Sequence, residues 1–195
     1  MVKEEQLLSK LVPPHGGGEL EPKLLGSGPN AEEERSEALK RAAEQKAVPL
    51  SSRETSDLLM LAMGAYTPLE GFMGQDDWHG SCLEMKLNDG TFWPIPITLS
   101  CDEDIAKGIS SGEEVSLVDE ETGQIMAVMN VVEKYIIDRK LECTEVFQTT
   151  DPAHPGVTKV MAQGKINLAG PVRVLTEGRF PRDFKSLYLR PIDTR

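Results

Sequence analysis

The stretch Thr91-Phe92-Trp93-Pro94-Ile95-Pro96-Ile97-Thr98-Leu99 restricts the fold of this chain more than any other. It is apolar and β-rich, so it reads as a strand. Pro94 and Pro96 have no amide hydrogen to give to a central ladder. The strand therefore belongs at a sheet edge or bends around the corner of a barrel. Asn88-Asp89-Gly90 supplies the turn before it. Downstream, residues 114–118 and 125–131 read as two strands joined through Glu121-Thr122-Gly123, a clear hairpin. Residues 158–161 and 172–175 read as two further strands, split by Gly164 and by Gly170-Pro171. No doubly wound βαβ alternation occurs before residue 180. Irregular strands with small helices between them favour an α+β fold built on a compact, partly closed β-barrel with peripheral helices.

The helices are short and individually marked. Residues 31–46 form a charged helix: Glu33, Glu37 and Arg41 stand four apart, and Ala38, Leu39, Ala42 and Ala43 give a narrow face of mostly small residues. Ser51-Ser52-Arg53-Glu54 is a capping box, in which Ser51 and Glu54 satisfy each other's backbone amides. The helix that follows carries Leu58 to Met63, apolar on nearly every side, and so belongs in a core. Gly64 ends it. Residues 65–73 make a turn with large apolar anchors. Residues 75–83 form an amphipathic helix with Trp78 buried and His79 at its edge, and residues 102–109 and 138–146 suit short helices. Residues 1–30 are irregular. Their Gly16-Gly17-Gly18 reads as a loop rather than a phosphate cradle, because no strand precedes it and no Lys-Ser/Thr follows. His15 is a loop residue with no visible partner. After Phe180-Pro181 the chain becomes a linker running into a helix, with Pro191 near its first turn.

Phe147-Gln148-Thr149-Thr150-Asp151-Pro152-Ala153-His154-Pro155-Gly156-Val157 concentrates turn signals: Asp before Pro, then Pro-Gly. It reads as a loop rather than a helix or strand. One reading makes it a structural corner. The other makes it an active-site loop, with His154 as acid, base or phosphate ligand.

Charge and cysteine content narrow the function classes. The net charge is −11, but residues 158–195 hold eight basic and three acidic residues, a net of +5. Residues 1–157 hold 13 basic against 29 acidic, a net of −16. An acidic body argues against binding a nucleic-acid backbone. The basic end could face a polyanionic ligand or an acidic partner. Apolar content of 39% with 27% charged residues describes a soluble globular chain. No apolar run approaches the roughly 20 residues of a membrane span, and no secretory signal opens the sequence. Cys82, Cys101 and Cys143 are odd in number, widely spaced and without a Cys-x-x-Cys, which favours reduced thiols in a cytoplasm.

Four ordered segments carry a family resemblance: Asp57-Leu58 through Gly64-Ala65-Tyr66-Thr67-Pro68-Leu69-Glu70-Gly71-Phe72-Met73; Asp89-Gly90 through Leu99; Thr149 through Val157; and Leu168-Ala169-Gly170-Pro171-Val172. Together, over about residues 45–195, they resemble the N-terminal domain of the ATP sulfurylases (sulfate adenylyltransferases). The resemblance implies a PUA-like β-barrel over residues 31–178, preceded by the irregular segment 1–30. Residues 179–195 would then be the linker into an α/β nucleotidyltransferase domain. It implies an enzyme that converts ATP and sulfate, with magnesium, into adenosine 5′-phosphosulfate and pyrophosphate, reversibly, as a cytoplasmic homo-oligomer.

The family's catalytic signatures, a Gln-x-Arg-Asn and a His-x-x-His, do not occur in this sequence. Phe147-Gln148-Thr149-Thr150-Asp151-Pro152-Ala153-His154 imitates them, but Thr150 stands where arginine should be and Asp151 where asparagine should be. An aspartate there would repel a triphosphate. The stretch also matches the family's own non-catalytic segment. The expectation is thus an inactive scaffold and assembly portion with no catalytic, substrate-binding or metal residues of its own, and with His154 in a rigid corner near an interface. A kinase for adenylyl sulfate would need a Gly-x-x-x-x-Gly-Lys-Ser/Thr, which is missing. The alternative is a free-standing PUA-like nucleic-acid-binding module, which the −11 charge opposes.

Overall fold

In the computed structural model, residues 12–26 and 30–195 are described. One strand, β7 (Ile166–Val174), organises the sheet. Its first half lies between β3 (Leu99–Cys101) and β6 (Glu133–Ile136), both antiparallel to it, with Ser100 opposite Asn167 on one side and Tyr135 opposite it on the other. Its second half pairs with β2 (Gly71–Phe72) and β5 (Ile125–Asn130), again antiparallel. β5 forms the expected hairpin with β4 (Glu114–Asp119), and β4 pairs in parallel with β1 (Ala47–Leu50). The described strands number seven, along the path β1-β4-β5-β7-β2, with β3 and β6 joining through β7.

β7 exchanges neighbours at Gly170-Pro171. Gly170 has φ +153, and a Cβ on it would sit 1.9 Å from the Asn130 carbonyl oxygen. A Cβ on Gly71, across the β2 pairing, would sit 2.1 Å from the Gly170 oxygen. Three backbones meet there with no room for side chains, and the sheet turns over on itself. This is the partly closed barrel. Gly170-Pro171, which reads as a break between strands, is instead a bend inside one nine-residue strand.

The helices lie around the sheet. α1 (Ala31–Ala42) stops short of the expected residue 46, and buries Ala38 and Ala42 against Val128 and Leu175. α2 (Ser52–Ala62) begins with the capping box intact. Leu58, Leu59, Leu61 and Ala62 sit in the main core with Val48, Leu99, Leu117, Met129 and Leu168. α3 (Gln75–Glu84) buries Trp78 in a second cluster with Cys82, Tyr135, Ile137 and Ala169. α4 (Glu103–Lys107) is a single short turn, and α5 (Arg139–Phe147) is capped by the Asp138 carboxylate. Residues 23–25 are irregular but fixed: the Leu24 amide donates to the Ala62 carbonyl at the end of α2, and Leu24 bridges Val174.

Three further expectations fail. Residues 158–161 are not a strand, and residues 147–157 are not wholly a loop: α6 (Pro155–Ala162) starts inside them. Pro155 at the first helical position needs no amide partner, and the His154 ring accepts the next free amides. Val157 and Val160, three apart, then bury against Cys143 and Phe147. Residues 91–98 bend at Ile95 and form no ladder beyond the single Lys86–Phe92 bridge. Regular pairing starts only at Leu99, beyond the second proline.

Candidate functional site

The most connected polar assembly grows from the start of α2. Glu54 is 2% exposed, yet its carboxylate is saturated with donors. The Ser51 amide and hydroxyl reach Oε2 at 2.9 and 2.6 Å. The Ser100 amide and hydroxyl reach Oε1 at 2.8 and 2.9 Å. One carboxylate thus caps the helix and fastens it to β3. Next to it the Arg53 guanidinium donates to Asp57 at 3.2 Å, to the Thr98 carbonyl at 3.3 Å and to Gln163 Oε1 at 3.4 Å. Asp57 also accepts from the Tyr66 hydroxyl at 3.1 Å. Arg53 therefore joins α2, the approach to β3 and the end of α6.

A cavity of about 440 Å³ opens beside this assembly, lined by Arg53, Glu54, Ser100, Glu120, Lys159 and Gln163, among others. Five donors surround the Glu54 carboxylate, the Arg53 guanidinium at 3.4 Å among them. Asp57 is different. Burial pushes its carboxyl up to about 6, against the pull of Arg53 and the Tyr66 hydroxyl. Its ionised form therefore opposes folding above pH 6, and that opposition fades as pH falls through 6 towards 4. Asp57→Asn should remove about 2 kcal/mol of the stability gained by wild type between pH 7 and pH 4, measured as the difference between urea unfolding curves at the two pH values.

His154 caps α6. Its Nδ1 accepts the Gly156 amide at 3.2 Å and the Val157 amide at 3.4 Å. Its ring packs on Phe147 with centroids 5.0 Å apart. The nearby Asp151 carboxylate is committed to its own turn, where it accepts the Ala153 amide at 2.8 Å. Nδ1 is thus engaged in holding backbone. His15 does have a partner: it packs on Phe92 and Trp93, with Nε2 on the Phe92 carbonyl. His79 lies exposed on α3 beside Trp78. The three cysteines are buried and free. Among the described residues no group of three or more His, Cys, Asp or Glu is placed to hold a metal ion.

Residues 180–195 form two single turns, α7 (Phe180–Asp183) and α8 (Pro191–Thr194), the second with Pro191 at its start. Tyr188 and Arg190 anchor this segment to the buried Glu177. Between and beyond the anchors Phe184, Leu187, Leu189 and Ile192 project into solvent, with Leu187 77% exposed. Arg182 and Lys185 share the segment, and Arg179 directly precedes it. It is both basic and apolar on its surface.

Sequence inspection locates the Ser51–Glu54 box but not the assembly around it, because Ser100, Thr98 and Gln163 are remote along the chain. The i, i+4 spacing of Arg53 and Asp57 on a capped helix was the one local signal.

Comparison with known proteins agrees with this architecture. The family model for the PUA-like domain matches residues 12–177. The chain is 54% identical over 185 residues to a sulfate adenylyltransferase of Chlorobaculum tepidum, covering 95% of this chain and 45% of that protein. It is 52% identical over 191 residues to one of Syntrophobacter fumaroxidans, covering 96% and 45%. It therefore spans less than half the length of these curated relatives. A solved structure, a hexameric APS kinase from Thiobacillus denitrificans, superimposes with a TM-score of 0.67 at 26% identity, over 94% of this chain and 30% of that one. No helix among the described residues is long and apolar enough to cross a membrane. With its bent sheet, its surrounding short helices and a family match across most of its length, the chain belongs to the PUA-like domain family.

Proposed function

We propose that this chain is the scaffold portion of a sulfate adenylyltransferase. The whole protein would join ATP and sulfate to adenosine 5′-phosphosulfate and release pyrophosphate. The observation that carries this reading is 54% identity across 95% of the chain to less than half of a relative of that name. The missing Gln-x-Arg-Asn and His-x-x-His fit the same reading, since in-line attack at phosphorus needs cations and amide donors around the phosphates. In the assembly at the start of α2, Arg53 is already occupied by acceptors and Glu54 by donors. Magnesium enters this reading with ATP. The chain has no carboxylate cluster among its described residues to bind it, so the ion would be held by the nucleotide and by residues of a catalytic domain.

In this role the chain contributes rigidity and a docking face. β7 and the Arg53 assembly fix the barrel, and residues 179–195 lead into the α/β domain. The exposed Phe184, Leu187, Leu189 and Ile192 would be covered by that domain, and the basic side chains beside them would lie towards its anions. Assembly into a homo-oligomer in the cytoplasm completes the reading. The nucleic-acid module is not favoured, because the body outside residues 158–195 carries −16.

The test is a chimera in which this chain replaces the matching 45% of the Chlorobaculum tepidum protein. The chimera should form adenosine 5′-phosphosulfate, and Leu187→Glu with Leu189→Glu in it should lower activity at least about tenfold by undoing the docking. A folded chimera without activity, or one indifferent to both charges, contradicts the proposal. His154→Ala in the chimera should cost about 1 kcal/mol of stability through the lost cap, with kcat unchanged. A fall in kcat of a hundredfold would restore His154 as a catalytic acid or base.

A further inference from the structure

The PUA-like family match ends at Glu177, and the residues that follow, a linker by sequence, are fastened to the barrel. Glu177 is 8% exposed. Its Oε1 accepts from the Tyr188 hydroxyl and from Arg190 Nε, each at 3.1 Å, and Arg190 Nη2 pairs with its Oε2. The guanidinium thus grips both oxygens, a charge-assisted contact that fixes direction as well as distance. Other holds flank this one. Phe180 packs against the main core, and its ring stacks on Phe184. The Arg190 amide donates to Asp193 at 3.2 Å, and Arg195 Nε donates to the Val12 carbonyl at 2.8 Å.

The clamp decides which side chains face out. Arg190 is extended, with φ −88 and ψ 155, and in extended chain successive side chains point to opposite sides. Tyr188 and Arg190 turn inward to Glu177, so Leu187 and Leu189 turn outward and are 77% and 61% exposed. None of the described strands pairs with residues 184–190, so a ladder does not set this alternation. A buried ion pair adds little stability over apolar side chains of the same size, because desolvation offsets the attraction. What it adds is a single geometry. An apolar contact at residue 177 would let this segment slide or fold its leucines back onto the barrel.

We propose that Glu177 is a positioning residue: it holds residues 184–190 in one conformation that presents Leu187 and Leu189 as a fixed docking row for the α/β domain. The inference rests on the scaffold reading above and adds the element that organises its docking face. The row is prearranged, so docking does not have to order it.

The test compares wild type with Glu177→Met, which keeps the volume and removes the acceptors without leaving a buried charge. In the intact 195-residue chain, amide order parameters of residues 184–190 should match those of β7, at about 0.85, and in Glu177→Met should fall below about 0.6 while β7 keeps its values. A carboxylate that served stability alone would leave those order parameters unchanged. Arg190→Met, at a side chain 42% exposed, gives the same comparison from the other side of the clamp if Glu177→Met does not fold. In the chimera, Glu177→Met should lower kcat about fivefold through a smaller docked fraction, with KM for ATP and sulfate within about twofold of wild type. Mobile residues 184–190 in wild type, or unchanged order parameters in the variants, would overturn the clamp. Unchanged kcat in Glu177→Met, where Leu187→Glu with Leu189→Glu lowers it, would overturn the positioning role and leave the docking reading standing. Indifference of the chimera to both sets of changes would remove the docking reading, and the positioning role with it.

Discussion

Replacing Gly170 by alanine should destabilise the chain by about 4 kcal/mol or more, enough to remove a cooperative unfolding transition from many small domains. Two effects add. The residue has φ +153, a conformation that L side chains rarely adopt. The new methyl would also meet the Asn130 carbonyl oxygen at 1.9 Å, a backbone atom that cannot swing aside. Relief would require β5 and β7 to separate where β7 changes partners, and every strand of the sheet connects through β7 directly or through β5. Equilibrium urea unfolding checks this, and a loss below about 1 kcal/mol would mean that the barrel closes differently.

Glu54→Ala should cost about 3 to 5 kcal/mol, the range for stripping one partner from a buried charged network. The substitution leaves the Ser100 amide and hydroxyl and the Ser51 amide without their acceptor, and Glu54 is too deep for water to replace it freely. Glu54→Gln should cost less, about 2 kcal/mol, because it keeps the shape and one acceptor oxygen. A surface capping residue would lose only about 1 kcal/mol on removal, so a small effect of Glu54→Ala would show that the link to β3 adds nothing.

Local chemistry was readable where a few neighbouring residues decide the backbone. Ser51 and Glu54 announce the start of α2, Glu121-Thr122-Gly123 the hairpin, and Asp138 the start of α5; the structure has all three. The failures come from residues whose local meaning is set from far away. Val157, Thr158 and Val160 are β-branched, yet Pro155 and the His154 ring start a helix, and burial against Cys143 holds it. Gly170-Pro171 signals a break until β5 and β2 are brought against it. β1 and β6 are four residues each, one containing Pro49 and the other Glu133 and Lys134, too short and too polar to show a period. Of the assembly around Arg53, the part on α2 lay in plain sight, while Gln163 joins it across 110 positions. The family resemblance, carried by whole segments rather than by single periods, reached the PUA-like barrel despite these misread elements.

The measurement that bears most directly on the scaffold reading is sulfate-dependent pyrophosphate release by the purified 195-residue chain, with ATP and magnesium present. The account predicts no release above the enzyme-free blank at any sulfate concentration, while the chimera with the remainder of the Chlorobaculum tepidum protein turns over. Saturable, sulfate-dependent release by the chain alone would contradict it, and would place catalytic groups among these 195 residues.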